Sequence, residues 1–164
     1  PLTTPFIGSF SAAFVGRFES STARASLSAS FVPIIAGHGG NAGSQTSTLV
    51  VRGLALNEIG RRDVVTVMRK EVSFGLLYGL LAGTLTAGLA YWMSHDLNLS
   101  GIVFLAMSGN VVLATLGGSM IPVLLKRLNV DPALASTVWL TTLTDWIGFL
   151  LLLGLASIYL KSAN

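Results

Sequence analysis

Residues 72–94 read VSFGLLYGLLAGTLTAGLAYWMS, an apolar stretch without a charged side chain. A helix needs roughly 20 such residues to cross a hydrocarbon core of about 30 Å. The stretch ends near Tyr91 and Trp92, an aromatic pair typical of the boundary between lipid tails and headgroups. Residues 72–94 are therefore predicted to span a membrane.

The composition of the whole chain agrees with this interpretation. Of 164 residues, 52% are hydrophobic and 10% are charged, with a mean hydropathy of +0.72, whereas about 25% are charged in an ordinary soluble domain. The absence of Cys excludes a disulfide scaffold, and the apolar content excludes disorder. A net charge of +3 is assigned to loops that face anionic lipid, not to nucleic-acid binding.

Charged residues divide the chain into spans, because a charge at the centre of a spanning helix costs about 2.5 to 3.5 kcal/mol. The predicted fold class is all-α, a polytopic membrane protein with five helices forming a single transmembrane pore domain. The helices are expected at about residues 2–17, 26–52, 70–94, 100–127 and 133–160. Pro33 and the segment GHGGNAGSQ at 37–45 are poor helix formers, so the second helix is predicted to be interrupted at its glycines.

The basic residues predict the orientation of the chain in the membrane. Seven of them lie in the connections between the second and third and between the fourth and fifth predicted helices: Arg52, Arg61, Arg62, Arg69, Lys70, Lys126 and Arg127. Three lie on the other side: Arg17, Arg24 and Lys161. Short cytoplasmic loops carry the excess of Lys and Arg. The N-terminus is thus expected in the cytoplasm and the C-terminus outside.

Asp145 is the strongest candidate for an ion-binding residue. It lies near the middle of the fifth predicted helix, with no basic residue three or four positions away. Such an acid faces water, an ion or another helix. Thr137, Thr141 and Asp145 share one helical face, which Gly148 continues, and Thr144 precedes the acid. The face fits a wetted cation path; alternatively, the threonines bond to their own backbone and Asp145 is a buried, protonated structural acid.

The glycine segment carries a second group of candidates. Gly40, Asn41 and Gln45 could line a pore, or the two amides could bond neighbouring helices. His38 could contact the ion path or be satisfied in the core, and it forms no metal-ligand pair with His95. The residues needed for a P-loop or a zinc site are missing, and nothing fixes the geometry of Ser44 and His38, the only candidate catalytic pair, so no enzyme is predicted.

Several motifs resemble one family of membrane proteins over nearly the whole chain. They are Pro33 with GGNAGSQ at 39–45, RGLA at 52–55, RKE at 69–71, the link from Pro122 to Ala133, and Asp145 within TLTD. In these residues the chain resembles the transmembrane domain of MgtE magnesium channels.

This resemblance implies a homodimer whose pore lies on the dimer axis and is lined by the second and fifth helices. It implies a hydrated Mg²⁺ between the two copies of Asp145, with Mn²⁺, Co²⁺ or Ca²⁺ as other possible cargo, in the cytoplasmic (inner) membrane. The upstream cytosolic regulatory domains of such channels are expected to be absent from this chain. Two rival functions remain at this point: a proton- or Na⁺-coupled carrier, and a non-transporting membrane assembly subunit.

Overall fold

The computed structural model describes residues 29–60, 63–134 and 137–162, and these residues form four long helices and one short 3-10 turn. Helix α1 spans Val32–Ala55, α2 spans Val64–Ser94, α3 spans Leu97–Arg127 and α4 spans Thr137–Ser162. The 3-10 turn, Pro132–Leu134, connects α3 to α4. The predicted all-helical class is confirmed for the described residues.

Three of the described helices are long and apolar enough to cross a membrane, over Val64–Ser94, Leu97–Arg127 and Trp139–Tyr159. Helix α1 has 24 residues, but its glycines and polar side chains lower its hydropathy. The chain is therefore a helical, multi-pass membrane protein. The helix predicted at residues 2–17 lies outside the described residues.

The prediction that glycines interrupt the second helix is wrong, because α1 runs without a break through residues 37–45. The break falls earlier, where the helical backbone of residues 29–30 gives way to a turn at Phe31 and α1 begins with Pro33 in its first turn. A proline is tolerated there because the first turn lacks an intrahelical acceptor for its missing N–H.

The glycines of α1 stay helical because α3 packs closely against two of them. A Cβ atom added to Gly39 would collide with the side chain of Asn110, and one added to Gly43 would lie 3.0 Å from the Ala114 carbonyl oxygen. Small residues allow this close approach of helices inside a membrane. The glycines therefore serve packing and do not break the helix.

Helix α3 is central to the described bundle, since it packs against α1, α2 and α4. Its core residues Val103, Met107 and Val111 are fully buried. Helix α2 approaches α3 through glycines spaced four residues apart, and the Ser108 hydroxyl donates a hydrogen bond of 3.0 Å to the Gly79 carbonyl. The opposite side of α2 exposes large apolar residues, as a lipid-facing surface does: Leu77, Leu81 and Leu85.

The helix ends differ from the predicted boundaries for local reasons. Helix α2 begins at Val64 instead of residue 70, because the helical pattern of Val64–Met68 continues directly into the span. It ends at Ser94, and the following residue, His95, has a left-handed φ of 52°. The Asp96 carboxylate then caps α3 by accepting from the Asn98 and Leu99 N–H groups. Helix α4 begins at Thr137 instead of residue 133, because the 3-10 turn occupies the preceding positions.

Candidate ion path

One side of α1 is polar and exposed. Gly37, Asn41, Gln45, Thr48 and Arg52 recur at helical spacing and are all exposed, and we call this surface the open face of α1. The opposite side of the helix is buried against α3. Lipid tails cannot hydrogen-bond to amides or hydroxyls. The open face is therefore unsuited to contact with lipid.

Helices α1 and α4 are antiparallel, and their contacts fix which residues lie at the same depth. The Ser44 and Thr141 hydroxyl oxygens lie 3.4 Å apart, a Cβ atom on Gly40 would lie 3.0 Å from Thr141 Cγ2, and a Cβ atom on Gly148 would lie 3.3 Å from Ile35 Cγ2. Thr141 of α4 therefore lies near Ser44 of α1, and Gly148 lies near Ile35. Asp145 falls between these two contacts, at about the depth of residue 38.

Asp145 lies at the edge of α4 that borders the open face of α1. Its side chain is half-buried, one turn along from Thr141, which contacts Ser44 at the border of the open face. Among the described residues, the carboxylate has no hydrogen-bond or ion-pair partner. A partly accessible acid at membrane depth without a protein partner is suited to meet water or a cation.

The predicted threonines occupy different environments. Thr141 is half-buried between the helices and meets Ser44, whereas Thr144 is buried, and its hydroxyl donates to the Thr141 carbonyl at 2.9 Å. This bond to the helix's own backbone was one of the two interpretations open for the threonines. The side chain of Thr137 lies outside the described part of the chain.

The predicted glycines are sites of close packing. Gly40 faces Thr141 and Thr144, and Gly148 faces Asn110 and Ile35. Asn41 and Gln45 lie on the open face, one turn apart. The structure thus places Thr141, Asn41 and Gln45 on the same side of the α1–α4 pair as Asp145. Gly40 and Gly148 instead allow the helices to pack closely.

Sequence analysis missed Asn110 as a residue that organises this site. Its side chain is fully buried, its Nδ2 donates to the Ile35 carbonyl at 2.8 Å, and it lies against Gly39 and Gly148. The side-chain amide of Asn110 therefore joins α1, α3 and α4 about one helical turn beyond Asp145. The available signal was a lone amide in an otherwise apolar span, because such a group needs a partner from another helix.

Two further contacts hold the end of α1 where Arg52 lies. The Thr46 hydroxyl donates to the Glu71 carboxylate of α2 at 3.0 Å, and Lys126 Nζ of α3 donates to the Leu54 carbonyl at 2.8 Å. A lysine at the C-terminal turn of a helix also interacts favourably with the helix dipole. Both neighbouring helices thus anchor this end of α1.

Within the described ranges, no three His, Cys, Asp or Glu side chains lie close enough together to hold a bare metal ion. One carboxylate per chain is consistent with an ion that keeps most of its water. Mg²⁺ usually does so, and it is commonly bound through one or two carboxylates.

Comparisons with known proteins point to one family. Residues 32–155 match a family model described as MgtE, divalent cation transporter. The chain is 39% identical over 155 residues to "Magnesium transporter MgtE" of Thermus thermophilus, covering 94% of this chain and 34% of that protein. It is 34% identical over 161 residues to the protein of the same name from Enterococcus faecalis, covering 98% of this chain and 35% of that protein.

A third relative, "Magnesium transporter MgtE" of Bacillus subtilis, is 29% identical over 157 residues. That match covers 96% of this chain and 35% of the relative. The chain spans about a third of the length of these curated relatives.

Proposed function

Because the chain belongs to the MgtE family of divalent cation transporters, we propose that it conducts hydrated Mg²⁺ across the cytoplasmic membrane as a channel. The pore forms between two copies of the chain, and the ion site is the carboxylate of Asp145. The relatives' printed name, magnesium transporter, supports Mg²⁺ as the cargo. Mn²⁺, Co²⁺ and Ca²⁺ are other possible cargo.

The observation that carries this proposal is the open face of α1 beside Asp145. It presents Asn41, Gln45 and Thr48 on the outside of a helix that belongs to a membrane protein. Such a surface needs water or a second protein surface, because lipid leaves its hydrogen-bonding groups unpaired. A second copy facing the first across a two-fold axis encloses a polar path and supplies both.

The chemistry of Mg²⁺ fits this arrangement. Mg²⁺ gives up its water reluctantly and is held through few direct ligands. Two copies of Asp145 provide two negative charges for the hydrated ion, while the amides of Asn41 and Gln45 bond to its water shell. Conduction requires that the ion also leave, so a site with few direct ligands suits a channel.

The continuous α1 favours a channel over a carrier. The carrier hypothesis depended on a helix broken at membrane depth that moves for alternating access, and α1 is unbroken through its glycines. Carrier kinetics would appear in the same assay as uptake that depends on a proton or Na⁺ gradient.

The proposed orientation follows from the basic residues at one end of the bundle. Arg52, Arg69, Lys70 and Lys126 lie near the ends of α1, α2 and α3 that meet there. This end is assigned to the cytoplasm because cytoplasmic loops are enriched in Lys and Arg. The start of α1 and the end of α4 then lie on the outer side. The helix predicted at residues 2–17 would return the N-terminus to the cytoplasm.

Mg²⁺ uptake into liposomes that contain the chain tests the proposed function. Asp145→Asn keeps the side-chain shape and removes the charge, so we expect uptake to fall by about tenfold or more, since removing a charge that stabilises the bound ion costs at least about 1.4 kcal/mol. The control is Asp63→Asn, because Asp63 is an exposed acid outside the spans and its amide analogue can still accept from the Gly60 N–H.

The control variant should transport as the unmodified chain does. Equal uptake by Asp145→Asn and the unmodified chain would make Asp145 a structural acid and refute the proposed ion site. No uptake by any of the three folded proteins would favour the non-transporting assembly subunit.

A further inference from the structure

We propose that His38 forms a second kind of site on the ion path, one that retains borderline divalent metal ions such as Ni²⁺ and so obstructs Mg²⁺. This inference rests on the proposed function, because it requires the open face of α1 to be wet. It adds a nitrogen ligand to a path whose other polar groups offer only oxygen or amide contacts.

The tautomer of His38 is fixed by a backbone contact. Its Nδ1 lies 2.8 Å from the Ile34 carbonyl oxygen, which can only accept, so Nδ1 carries the proton and donates. In the neutral ring, Nε2 therefore keeps its lone pair. Metal-binding histidines commonly use this arrangement, in which one ring nitrogen donates to a carbonyl and the other binds the metal.

The His38 ring is also held in orientation, and its second nitrogen is accessible. The ring faces Tyr78 of α2, with centroids 6.2 Å apart and planes 31° apart. Among the described residues, Nε2 has no hydrogen-bond partner, and it is not among the enclosed polar atoms that lack one. A nitrogen with a free lone pair therefore opens to the outside of the helix.

His38 lies at the edge of the open face, at about the depth of Asp145. His38 directly follows Gly37 of the open face, and a Cβ atom on Gly37 would meet nothing within 4 Å. The α1–α4 contacts bring Asp145 to the same depth. The imidazole lies at the α2 edge of the open face and Asp145 on the α4 side, so the nitrogen donor and the carboxylate lie at one level on opposite sides of α1.

An imidazole discriminates between classes of metal ion. Imidazole suits Ni²⁺, Cu²⁺ and Zn²⁺, and affinity for nitrogen sites rises from Mn²⁺ to Cu²⁺ along the first transition row. Mg²⁺ and Ca²⁺ prefer oxygen and gain little from imidazole. An ion that binds too tightly does not leave a conducting site, so Ni²⁺ held at His38 blocks the path that Mg²⁺ uses.

The test measures Mg²⁺ uptake by liposomes containing the untagged chain while Ni²⁺ is added. We expect His38→Gln to take up Mg²⁺ as the unmodified chain does, but to need about tenfold more Ni²⁺ for half-block, since metal affinity falls at least this far when the ligand set is weakened. The control is His95→Gln, which removes an exposed imidazole in the tight connection between α2 and α3. A second control is Ca²⁺, whose effect on uptake should be the same with and without His38.

Calorimetric titration of Ni²⁺ into the same proteins in detergent separates this inference from the proposed function. If the unmodified chain fails to transport Mg²⁺, the channel proposal fails. The titration still tests whether His38 binds Ni²⁺. Ni²⁺ binding weakened about tenfold by His38→Gln but not by His95→Gln supports the site. Equal half-block or equal Ni²⁺ affinity with and without His38 overturns it.

Discussion

Asn110 joins three helices through one side chain, with its Nδ2 bonded to Ile35 of α1 and its flank against Gly148 of α4. Its Oδ1 is buried and has no hydrogen-bond partner among the described residues. An unsatisfied buried acceptor carries a desolvation cost. The amide is thus a compromise, in which one polar atom fixes the helices beside Asp145 and the other is left unpaired.

Asn110→Ala removes the bond to Ile35 and leaves a void among tightly packed glycines. We expect the chain to lose about 1 to 2 kcal/mol of stability, since hydrogen bonds between membrane helices average about 0.6 kcal/mol and a void adds to that loss. Thermal denaturation in detergent measures the effect. Asn98→Ala is the matched control, because the Asn98 side chain is exposed and makes one long contact of 3.4 Å to Tyr159.

The control variant should change stability by less than about 0.5 kcal/mol. If Asn110→Ala is as stable as the Asn98 control, the buried amide does not organise the three helices.

The sequence singles out Asp145 as a candidate but does not predict its surroundings. An acid inside an apolar segment is visible from composition alone, because its desolvation cost demands a function or a partner. The contacts of Asn110 were not visible, since Ile35 lies 75 positions away along the chain. Contacts between distant residues depend on how the helices pack, which local patterns do not encode.

At the scale of the elements, the glycines of α1 and α3 determine how closely these helices approach. Intrinsic propensity predicted a break at residues 37–45, because a glycine costs about 1 kcal/mol in a helix relative to Ala. Packing overrides this cost, since Gly43 and Gly118 face each other at backbone contact. The break occurs instead at Phe31, just before Pro33.

Gly118→Ala tests this close contact, because its added Cβ atom would collide with the Gly43 carbonyl oxygen. We expect a loss of about 1 to 3 kcal/mol in stability, the usual cost of overpacking. Gly101→Ala on the same helix is the control, since a Cβ atom there would meet nothing within 4 Å. Removing a glycine from an open helical position should stabilise the helix by about 0.5 to 1 kcal/mol.

Melting temperatures of the two variants in the same detergent should therefore move in opposite directions. A Gly118→Ala protein that melts with or above the Gly101→Ala protein would refute the close contact between α1 and α3.

At the scale of the whole molecule, the sequence predicted the class of fold better than its arrangement. The segments predicted at 70–94, 100–127 and 133–160 coincide with helices that are long and apolar enough to cross a membrane, although α2 begins earlier, at Val64. The central place of α3 was not predictable, because each span is apolar on most sides and periodicity cannot say which helix it meets. The open face of α1 was also not predictable, because only the burial of each residue in the folded structure shows which side of the helix is packed and which is exposed.

The proposed ion path requires the open face of α1 to contact water at membrane depth. The chain has no Cys, so a single introduced thiol reports on its own position. The decisive measurement compares Asn41→Cys with Leu81→Cys, a position 59% exposed on the apolar side of α2, by reaction with a membrane-impermeant, positively charged thiosulfonate in liposomes.

The account predicts that Cys at position 41 reacts and that Mg²⁺ uptake then falls, because a bulky cation occupies the path. Cys at position 81 faces lipid and should stay unreactive, since the species that attacks a thiosulfonate is the thiolate, which forms only in water. If the thiol at position 41 reacts no faster than the one at position 81, the open face is not wet and the proposed ion path is contradicted.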